Sequence, residues 1–68
     1  MKSIGETIRE NRKRVNLTQA ELAYYAKVST KFICELENNK KTIELNKLYD
    51  VLNVLDLTLL VVSKKDVE

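Results

Sequence analysis

The sequence is short of the residues on which most catalytic and metal sites depend. It contains no histidine, one cysteine and one glycine in 68 residues. Without histidine or a second cysteine there is no ligand set for a transition metal and no imidazole base, and no glycine-rich loop is present to hold a phosphate. We find no pairing of a nucleophile with a base. We therefore expect a protein that is not an enzyme and that uses no metal and no cofactor.

Length and cysteine usage set a second limit. Sixty-eight residues make one small domain, and a chain of this size buries only about 60% of its unfolded surface, so it is marginally stable alone. The single cysteine, Cys34, cannot form an internal disulfide, which is typical of a protein from a reducing cytoplasm. With neither a disulfide nor a metal, association with a second chain is the remaining means of stabilisation.

Membrane segments and leader peptides are not recognisable. No apolar run approaches the about 20 residues that a membrane-spanning helix requires, and we recognise no signal peptide at the amino terminus. Together with the single cysteine, this predicts a cytoplasmic protein that has no membrane partner.

Charge is distributed unevenly, although the formal net charge is only +2. Residues 1–41 carry nine Lys or Arg against five Asp or Glu, a balance of +4, whereas residues 42–68 carry three against five, a balance of −2. A basic front half and a mildly acidic back half suit a protein that binds a polyanion on one side and a protein on the other. Ordinary surface charge explains so small an imbalance equally well.

The most informative stretch begins with LTQAELAYYAKVS at residue 17. Thr18, followed three residues later by Glu21, is the pattern of a capping box and predicts the start of a helix. The apolar positions that follow share one narrow face: Leu22, Ala23 and Ala26. The helix is expected to break at residues 27–29. There Lys27 occupies a corner where glycine would adopt a positive φ freely. A residue with a Cβ atom in this left-handed conformation costs roughly 1 kcal/mol.

A second short helix is predicted directly after this break. Ser29 is a good N-cap, and Ile33 and Leu36, an i, i+3 pair, form the buried face. At 100° per residue, four other side chains point away from that face: Lys31, Cys34, Glu35 and Asn38. Neither helix is long enough to be stable alone. The two together are typical of a helix-turn-helix, whose second helix enters the major groove of DNA.

The whole run L-T-Q-x-E-L-A-x-x-A-x-V-S-x-x-x-I-x-x-L-E-N resembles the Cro/C1-type (XRE) helix-turn-helix family. Its continuation and the apolar segment 57–62 are similar to the HipB-like antitoxins of that family. The resemblance implies a lambda-repressor-like domain in a bacterial, nucleoid-associated repressor that acts on its own operon and binds a HipA-like kinase toxin. The chain departs from the family at Lys27 and Asn39, where glycine is usual, and at Cys34, where serine is frequent.

The resemblance also assigns roles to residues outside the recognition helix. Arg12 matches an arginine that pairs with the glutamate matching Glu37, which joins the first helix to the end of the third. Two solvated charges are the alternative for this pair. Gln19, in the first turn of the second helix, is expected either to contact a phosphate or to brace a side chain of the recognition helix.

We predict the DNA contacts from the recognition helix and the corner after it. Ser29 both caps the helix and reaches a phosphate, while Thr30 and Lys31 reach base edges or phosphates. Phe32 lies beside this arc and either contacts a thymine methyl or covers core. Glu35 accepts from the N4 amino group of cytosine, although its carboxylate repels phosphates. The polar corner holds the phosphate backbone and comprises Asn38, Lys40 and Lys41.

Two more helices complete the predicted all-α domain of residues 1–56. Ser3 and Glu6 form another capping box, which opens a helix over about residues 4–15. Its inner face is expected to comprise Ile4, Ile8, Val15 and the stem of Arg12. A left-handed cap is expected at Asn16. The fourth helix covers about residues 44–55, with a core stripe of Leu45, Leu48, Tyr49, Val51, Leu52 and Leu55.

Residues 57–68 are predicted to form a dimerisation strand and a polar tail. The run LTLLVVS is short, aliphatic and followed by polar residues, which is typical of a β-strand. No other segment of the chain resembles a strand, so we expect antiparallel pairing with the same segment of a second copy. A fifth helix is the alternative. The predicted dimerisation residues are Leu57, Leu59, Leu60, Val61 and Val62.

The resulting hypothesis is a homodimeric, sequence-specific repressor that binds double-stranded DNA at an inverted repeat, with recognition helices about 34–36 Å apart. The HipB-like branch adds a HipA-like kinase toxin as partner. A phage-type or restriction-modification controller would use the same DNA surface without a toxin. A protein-only adaptor that lacks DNA binding is the alternative from another class. The sequence leaves the role of the exposed pair Tyr24 and Tyr25 open.

Overall fold

The computed structural model describes residues 2–66, and its regular elements are all helical. The α-helices of this part of the chain are α1 (Ile4–Arg14), α2 (Gln19–Ala26), α3 (Thr30–Glu37) and α4 (Leu45–Val54). A short 3-10 helix, Lys64–Asp66, follows. Met1 of the predicted domain and residues 67 and 68 of the predicted tail lie outside the described residues. No helix between residues 2 and 66 is long and apolar enough to cross a membrane.

The first three helices begin at the predicted N-caps. The hydroxyl of Thr18 accepts from the Glu21 N–H at 3.0 Å, and the Glu21 carboxylate accepts in return from the Thr18 N–H at 2.8 Å. Ser3 and Glu6 form the same reciprocal pair, and the Ser29 hydroxyl accepts from the Phe32 N–H at 3.0 Å. Each bond satisfies a donor that has no partner inside the helix. Both predicted capping boxes are therefore confirmed.

The helices also end in one type of corner. Within two residues after each helix, one residue has a positive φ, and these residues are Asn16 (61°), Lys27 (60°), Asn39 (61°) and Asp56 (58°). The next N–H donates to the carbonyl five residues earlier, as Leu57 does to Leu52 at 2.8 Å. This is the Schellman motif, which satisfies the last carbonyls of a helix. The left-handed conformations predicted at Asn16 and Lys27 are confirmed, whereas the one at Asp56 was not expected.

Helix α2 lies at the centre of the domain, against both α3 and α4, while α1 packs against α3. Every α-helix contributes one fully buried apolar side chain, and these are Ile8, Leu22, Ile33 and Val51. The rest of the core is small and aliphatic apart from Phe32. A core assembled from one face of each helix is sufficient for a domain of this size but leaves little stability in reserve.

Two of the predicted buried faces are too wide. Ile4 of α1, Val15 just after it, and Leu45 and Tyr49 of α4 are about half exposed. Helical spacing places Leu45 and Tyr49 on one flank of α4, and Leu52, one turn further along that flank, is buried. Periodicity shows which residues share a face, but the neighbouring elements decide how much of that face is covered. Here the flank of α4 is covered at Leu52 and only partly covered at Leu45 and Tyr49.

Gly5 marks the closest approach between α1 and α3. A Cβ atom on this residue would lie 2.5 Å from the carbonyl oxygen of Glu37 and 2.8 Å from that of Leu36. The Gly5 N–H donates to Oδ1 of Asn39 at 2.9 Å, and Asn39 in turn donates to the Ser3 hydroxyl at 3.0 Å. This close packing fixes the start of α1 on the end of α3.

The segment after α4 has no regular secondary structure between residues 57 and 63. Leu57 and Leu59 are half-buried against the core, whereas Leu60 is 76% exposed, Val61 99% and Val62 more than half exposed. The alternative of a fifth α-helix is not found in this segment. A strand that pairs only with a second copy has no partner within one chain, so the predicted strand and dimer stay predictions.

Candidate nucleic-acid interface

Helix α3 presents a continuous polar arc to solvent. Its buried side comprises Phe32, Ile33, Leu36 and Glu37. Thr30, Lys31, Cys34 and Asn38 are exposed on the opposite side, with Glu35 at the edge of the arc. The orientation predicted for the second helix of the motif is therefore the one observed.

The first turn of α3 offers unengaged donors. The amino group of Lys31 makes no ion pair and no hydrogen bond to any residue between 2 and 66, and Thr30 is exposed beside it. The hydroxyl oxygen of Ser29 accepts from the Phe32 N–H, which leaves the hydroxyl hydrogen available to an external acceptor. A cation and two hydroxyl groups at one helix start are suited to base edges and phosphates.

The orientation of α3 is fixed by a buried ion pair at its end. Nε of Arg12 donates to Oε2 of Glu37 at 2.6 Å, and Nη2 donates to Oε1 at 3.0 Å. The third guanidinium nitrogen donates to the Leu17 carbonyl at 2.9 Å. The Glu37 side chain is completely buried. The structure thus joins Arg12 and Glu37 in the bidentate geometry that the family resemblance implies, and this geometry resists rotation of either group.

Gln19 extends the same network to α2. Its amide nitrogen donates to Oε1 of Glu37 at 3.1 Å, and Nε of Arg9 lies 3.5 Å from the same oxygen. Of the two roles predicted for Gln19, the structure shows the bracing of the recognition helix. Side chains from α1 and α2 therefore meet on one carboxylate of α3, which holds the three helices in register.

Both partners of this ion pair are charged. Burial on its own raises the pKa of Glu37, but the hydrogen bonds from Arg12, Gln19 and Arg9 outweigh it and hold the pKa below the usual value. The hydrogen bond to Glu37 raises the pKa of Arg12 further. Because Arg12 and Glu37 satisfy one another inside the domain, neither is a candidate for DNA contact.

Phe32 belongs to the core and not to the polar arc. It is only 9% exposed, and the amino group of Lys47 lies 5.9 Å from the centre of its ring. Its predicted contact with a thymine methyl is therefore not compatible with this packing, because the neighbouring helix covers the ring. Lys47 is a basic residue that the sequence analysis missed. It lies in the first turn of α4 and is exposed beside the recognition helix.

The corner after α3 is basic but partly engaged. The amino group of Lys40 lies 3.2 Å from Oε2 of Glu35. The amide nitrogen of Asn38 donates to the Cys34 carbonyl at 2.8 Å, so this donor satisfies the helix end. Lys41 is exposed and forms no ion pair with the residues that the structure describes. Lys40 and Lys41 therefore remain candidates for phosphate contact, and Lys41 has the freer charge.

A family model described as Helix-turn-helix, HTH_3, matches residues 8–62. The chain belongs to the XRE-type helix-turn-helix family. A member from Sinorhizobium fredii (strain NBRC 101917 / NGR234), described as "Uncharacterized HTH-type transcriptional regulator y4mF", is 44% identical over 52 residues, which are 76% of this chain and 68% of the relative. As a member of this helix-turn-helix family, the protein is a DNA-binding transcriptional regulator. The family resemblance seen in the sequence is confirmed.

Solved structures share the fold of this helix-turn-helix protein. A chain of the structure described as "HipB-O4 20mer complex" superposes with a TM-score of 0.77 at 23% identity, over 88% of this chain and 84% of that one. A chain of "Structure of HipA-HipB-O2-O3 complex" gives a TM-score of 0.79 at 22% identity, over 94% of both chains. At sequence identities this low, the superpositions show that the fold of the helix-turn-helix domain is shared, and they show no more than the fold.

Polar groups from other parts of the domain lie next to the recognition helix α3. The Gln19 amide places the first turn of α2 against the end of α3. The amino group of Lys40 lies against Glu35, and that of Lys47 lies over the Phe32 ring. Lysines beside a helix that enters a groove are suited to the phosphates that border the groove. No sequence pattern marks Lys47, because its place beside α3 depends on how α4 packs.

Proposed function

We propose that this regulator is a homodimeric repressor that binds an inverted-repeat operator, controls its own operon and acts as the antitoxin of a HipA-like kinase. The observation that carries the DNA part of the proposal is the exposed arc of α3, which presents Lys31, a lysine without a partner within residues 2–66, next to the basic corner of Lys40 and Lys41. Such a protein acts on the nucleoid in the bacterial cytoplasm. The established class of the protein, a DNA-binding regulator, is the basis on which these finer statements rest.

The role proposed for each residue follows from its position on or beside the exposed arc of α3. Thr30, Lys31 and Glu35 read base edges, because they lie on the face of α3 opposite the core. Ser29 and the basic group Lys40, Lys41 and Lys47 hold phosphates, because they border that face. Phosphate contacts fix the docking angle without reading sequence. The amide nitrogen of Asn38 is engaged by Cys34, which makes Asn38 the weakest member of the predicted set.

The dimer is proposed to form through residues 57–62, with residues 1–56 left to bind DNA. Within residues 2–66, the N–H groups of residues 58–62 donate no hydrogen bond, and Leu60, Val61 and Val62 are exposed. Antiparallel pairing with a second copy would give these backbone N–H groups hydrogen-bond acceptors and would cover the exposed side chains at the same time. A two-fold axis at this point would present two recognition helices to successive major grooves, about 34–36 Å apart.

Three observations support the antitoxin role. One structure that shares the fold is described as "Structure of HipA-HipB-O2-O3 complex", in which HipB is assembled with HipA. Residues 42–68 carry three Lys or Arg against five Asp or Glu, and this mildly acidic balance suits a protein partner more than a polyanion. Tyr24 is 78% exposed, and its ring lies 5.5 Å from that of Tyr25 in an edge-to-face pair. Exposed aromatic residues of this kind are enriched in protein interfaces.

A footprint on the protein's own promoter tests the DNA part of the proposal. We expect protection of two half-sites on one face of the duplex. With about six to eight phosphate contacts per dimer, a plot of the logarithm of the binding constant against the logarithm of the salt concentration should have a slope of about −5 to −7. Uniform protection of any DNA would exclude a sequence-specific operator. An absence of protection, with binding that does not depend on salt, would favour the protein-only adaptor.

The toxin part needs a separate experiment. The protein is mixed with the product of the adjacent gene, and the mixture is analysed by size-exclusion chromatography and by a kinase assay. Co-elution with loss of kinase activity would support the antitoxin role. If the neighbour is a methyltransferase or a phage protein and no kinase co-elutes, the controller without a toxin is the correct assignment.

A further inference from the structure

The exposed arc of α3 carries one negative charge, and the structure supplies its counter-charge. Oε2 of Glu35 lies 3.2 Å from the amino group of Lys40. The other carboxylate oxygen, Oε1, accepts no hydrogen bond from residues 2–66. The Glu35 side chain is less than one-third exposed, whereas that of Lys40 is about half exposed. One oxygen is thus engaged and the other is free to accept.

The backbone builds this pair into the corner. The Lys40 N–H donates to the Glu35 carbonyl at 3.0 Å, and the Asn39 N–H donates to the Leu36 carbonyl at 3.1 Å. These are the two bonds of a Schellman motif, which brings the side chains at its two ends together. At the end of α4 the equivalent positions are the apolar residues Leu52 and Leu57. At the end of the recognition helix the same geometry holds a carboxylate and an ammonium group.

An unpaired carboxylate would be unfavourable in a DNA groove. Entry into the groove removes water from Glu35 and brings it towards phosphates, so a bare charge would weaken binding to every sequence. With its charge balanced by Lys40, Glu35 can remain in the groove, and the ammonium group has further donors for a phosphate. The free oxygen Oε1 then needs a donor, and among base edges in the major groove only amino groups provide one.

We propose that Glu35 determines specificity at one base pair of each half-site, where it accepts from the amino group of cytosine or adenine, and that Lys40 is the positioning residue that holds Glu35 for this contact. This inference rests on the proposed operator binding and adds the chemistry of one position within it. Lys41, the adjacent lysine, has no carboxylate partner among residues 2–66 and has no part in the base contact. It contributes to affinity alone.

The test is binding selection from a randomised inverted repeat, followed by affinity measurements at fixed salt on the selected operator and its symmetric single-position variants. For the wild-type dimer we expect one position per half-site where cytosine or adenine is preferred over the alternatives by about 5-fold to 150-fold. Glu35→Ala should abolish the preference at that position and leave the others unchanged. Lys40→Ala should weaken binding and reduce the same preference to within about 3-fold.

Two further variants separate positioning from charge. Lys41→Ala removes the same charge one residue away, and it should weaken binding equally for all sequences. Lys40→Arg keeps a cation at the corner and should restore the preference that Lys40→Ala loses. Thermal unfolding of each variant should stay close to that of the wild type, since an ion pair that is in contact with solvent contributes little to stability.

The outcomes distinguish the inference from the function on which it rests. If Glu35→Ala keeps every base preference of the wild type, Glu35 reads no base and the inference is wrong while operator binding stands. If Lys40→Ala and Lys41→Ala give the same profile, Lys40 is a phosphate contact and not a positioning residue. If the wild type selects no sequence at all, operator binding itself fails.

Discussion

Glu37 illustrates how one side chain organises the domain at the scale of single residues. It lies at the end of the recognition helix, yet its carboxylate accepts hydrogen bonds from Arg9, Arg12 and Gln19, which belong to the two preceding helices. The group is buried and charged at the same time, which is stable only while its partners are present. Its contribution to DNA binding is indirect, since it fixes the orientation of α3 relative to α1 and α2.

Glu37→Ala should lower the free energy of unfolding by about 3–5 kcal/mol, because it leaves Arg12 buried without a counter-charge. Urea denaturation monitored by circular dichroism measures the change. The matched control is Glu10→Ala, which removes the exposed ion pair between Glu10 and Lys2 and should cost less than about 1 kcal/mol. Equal effects of the two substitutions would show that burial of the ion pair between Glu37 and Arg12 adds nothing to the free energy of unfolding.

Acid should weaken the domain through the same carboxylate. Because the folded state lowers the pKa of Glu37, the unfolded chain takes up its proton at a higher pH than the folded chain does. The stabilisation is complete above the unfolded value of about 4.3 and is lost as the pH falls through the folded value. The unfolding free energies of the wild type and Glu37→Gln, measured from about pH 6 to about pH 3, should therefore converge. A difference that stays constant over this range would refute the assignment.

At the scale of elements, local hydrogen bonds set the boundaries of the helices and close packing sets their arrangement. The N-caps and Schellman corners join residues three to five positions apart, so a short sequence window contains both partners. The approach of α1 to α3 is different, because Gly5 meets the backbone of residues more than 30 positions away. The lack of a side chain at this one residue permits the contact.

Gly5→Ala should destabilise the domain by about 1–3 kcal/mol, because the added Cβ would overlap the Glu37 carbonyl. Helix propensity alone would predict a gain of about 0.5–1 kcal/mol, so the sign of the change is the test. Lys13→Ala, at an exposed position of the same helix, should change stability by less than about 0.5 kcal/mol. A Gly5→Ala variant that unfolds at a higher urea concentration than the parent would exclude close contact between α1 and α3.

For the molecule as a whole, the exposed apolar surface is the main feature that a single chain leaves unexplained. Leu60, Val61 and Val62 are open to solvent at one end of the chain, next to a core that is small for a stable monomer. Leu45 and Tyr49 of α4 are also about half exposed. A second copy would cover such a surface and would double the number of recognition helices.

Val61→Lys should convert the protein to a monomer, because the substitution places a charge in the proposed strand pairing. Sedimentation equilibrium gives the mass, and operator affinity should fall together with it. The control is Tyr24→Lys, which removes an exposed aromatic residue elsewhere and should leave the dimer intact. A Val61→Lys variant that remains dimeric would place the interface outside residues 57–62.

The sequence by itself determined the N-caps of the first three helices, the corners at Asn16 and Lys27, the outward arc of α3 and the family, because all of these depend on residues close together in the chain. Only the tertiary structure decided that Phe32 is covered, that Gln19 faces Glu37, and that Ile4, Leu45 and Tyr49 stay exposed. Each of these depends on which elements pack side by side, and a periodic pattern carries no information about the neighbours that cover it. Lys47 was missed for the same reason, since its place beside the recognition helix exists only after α4 has packed.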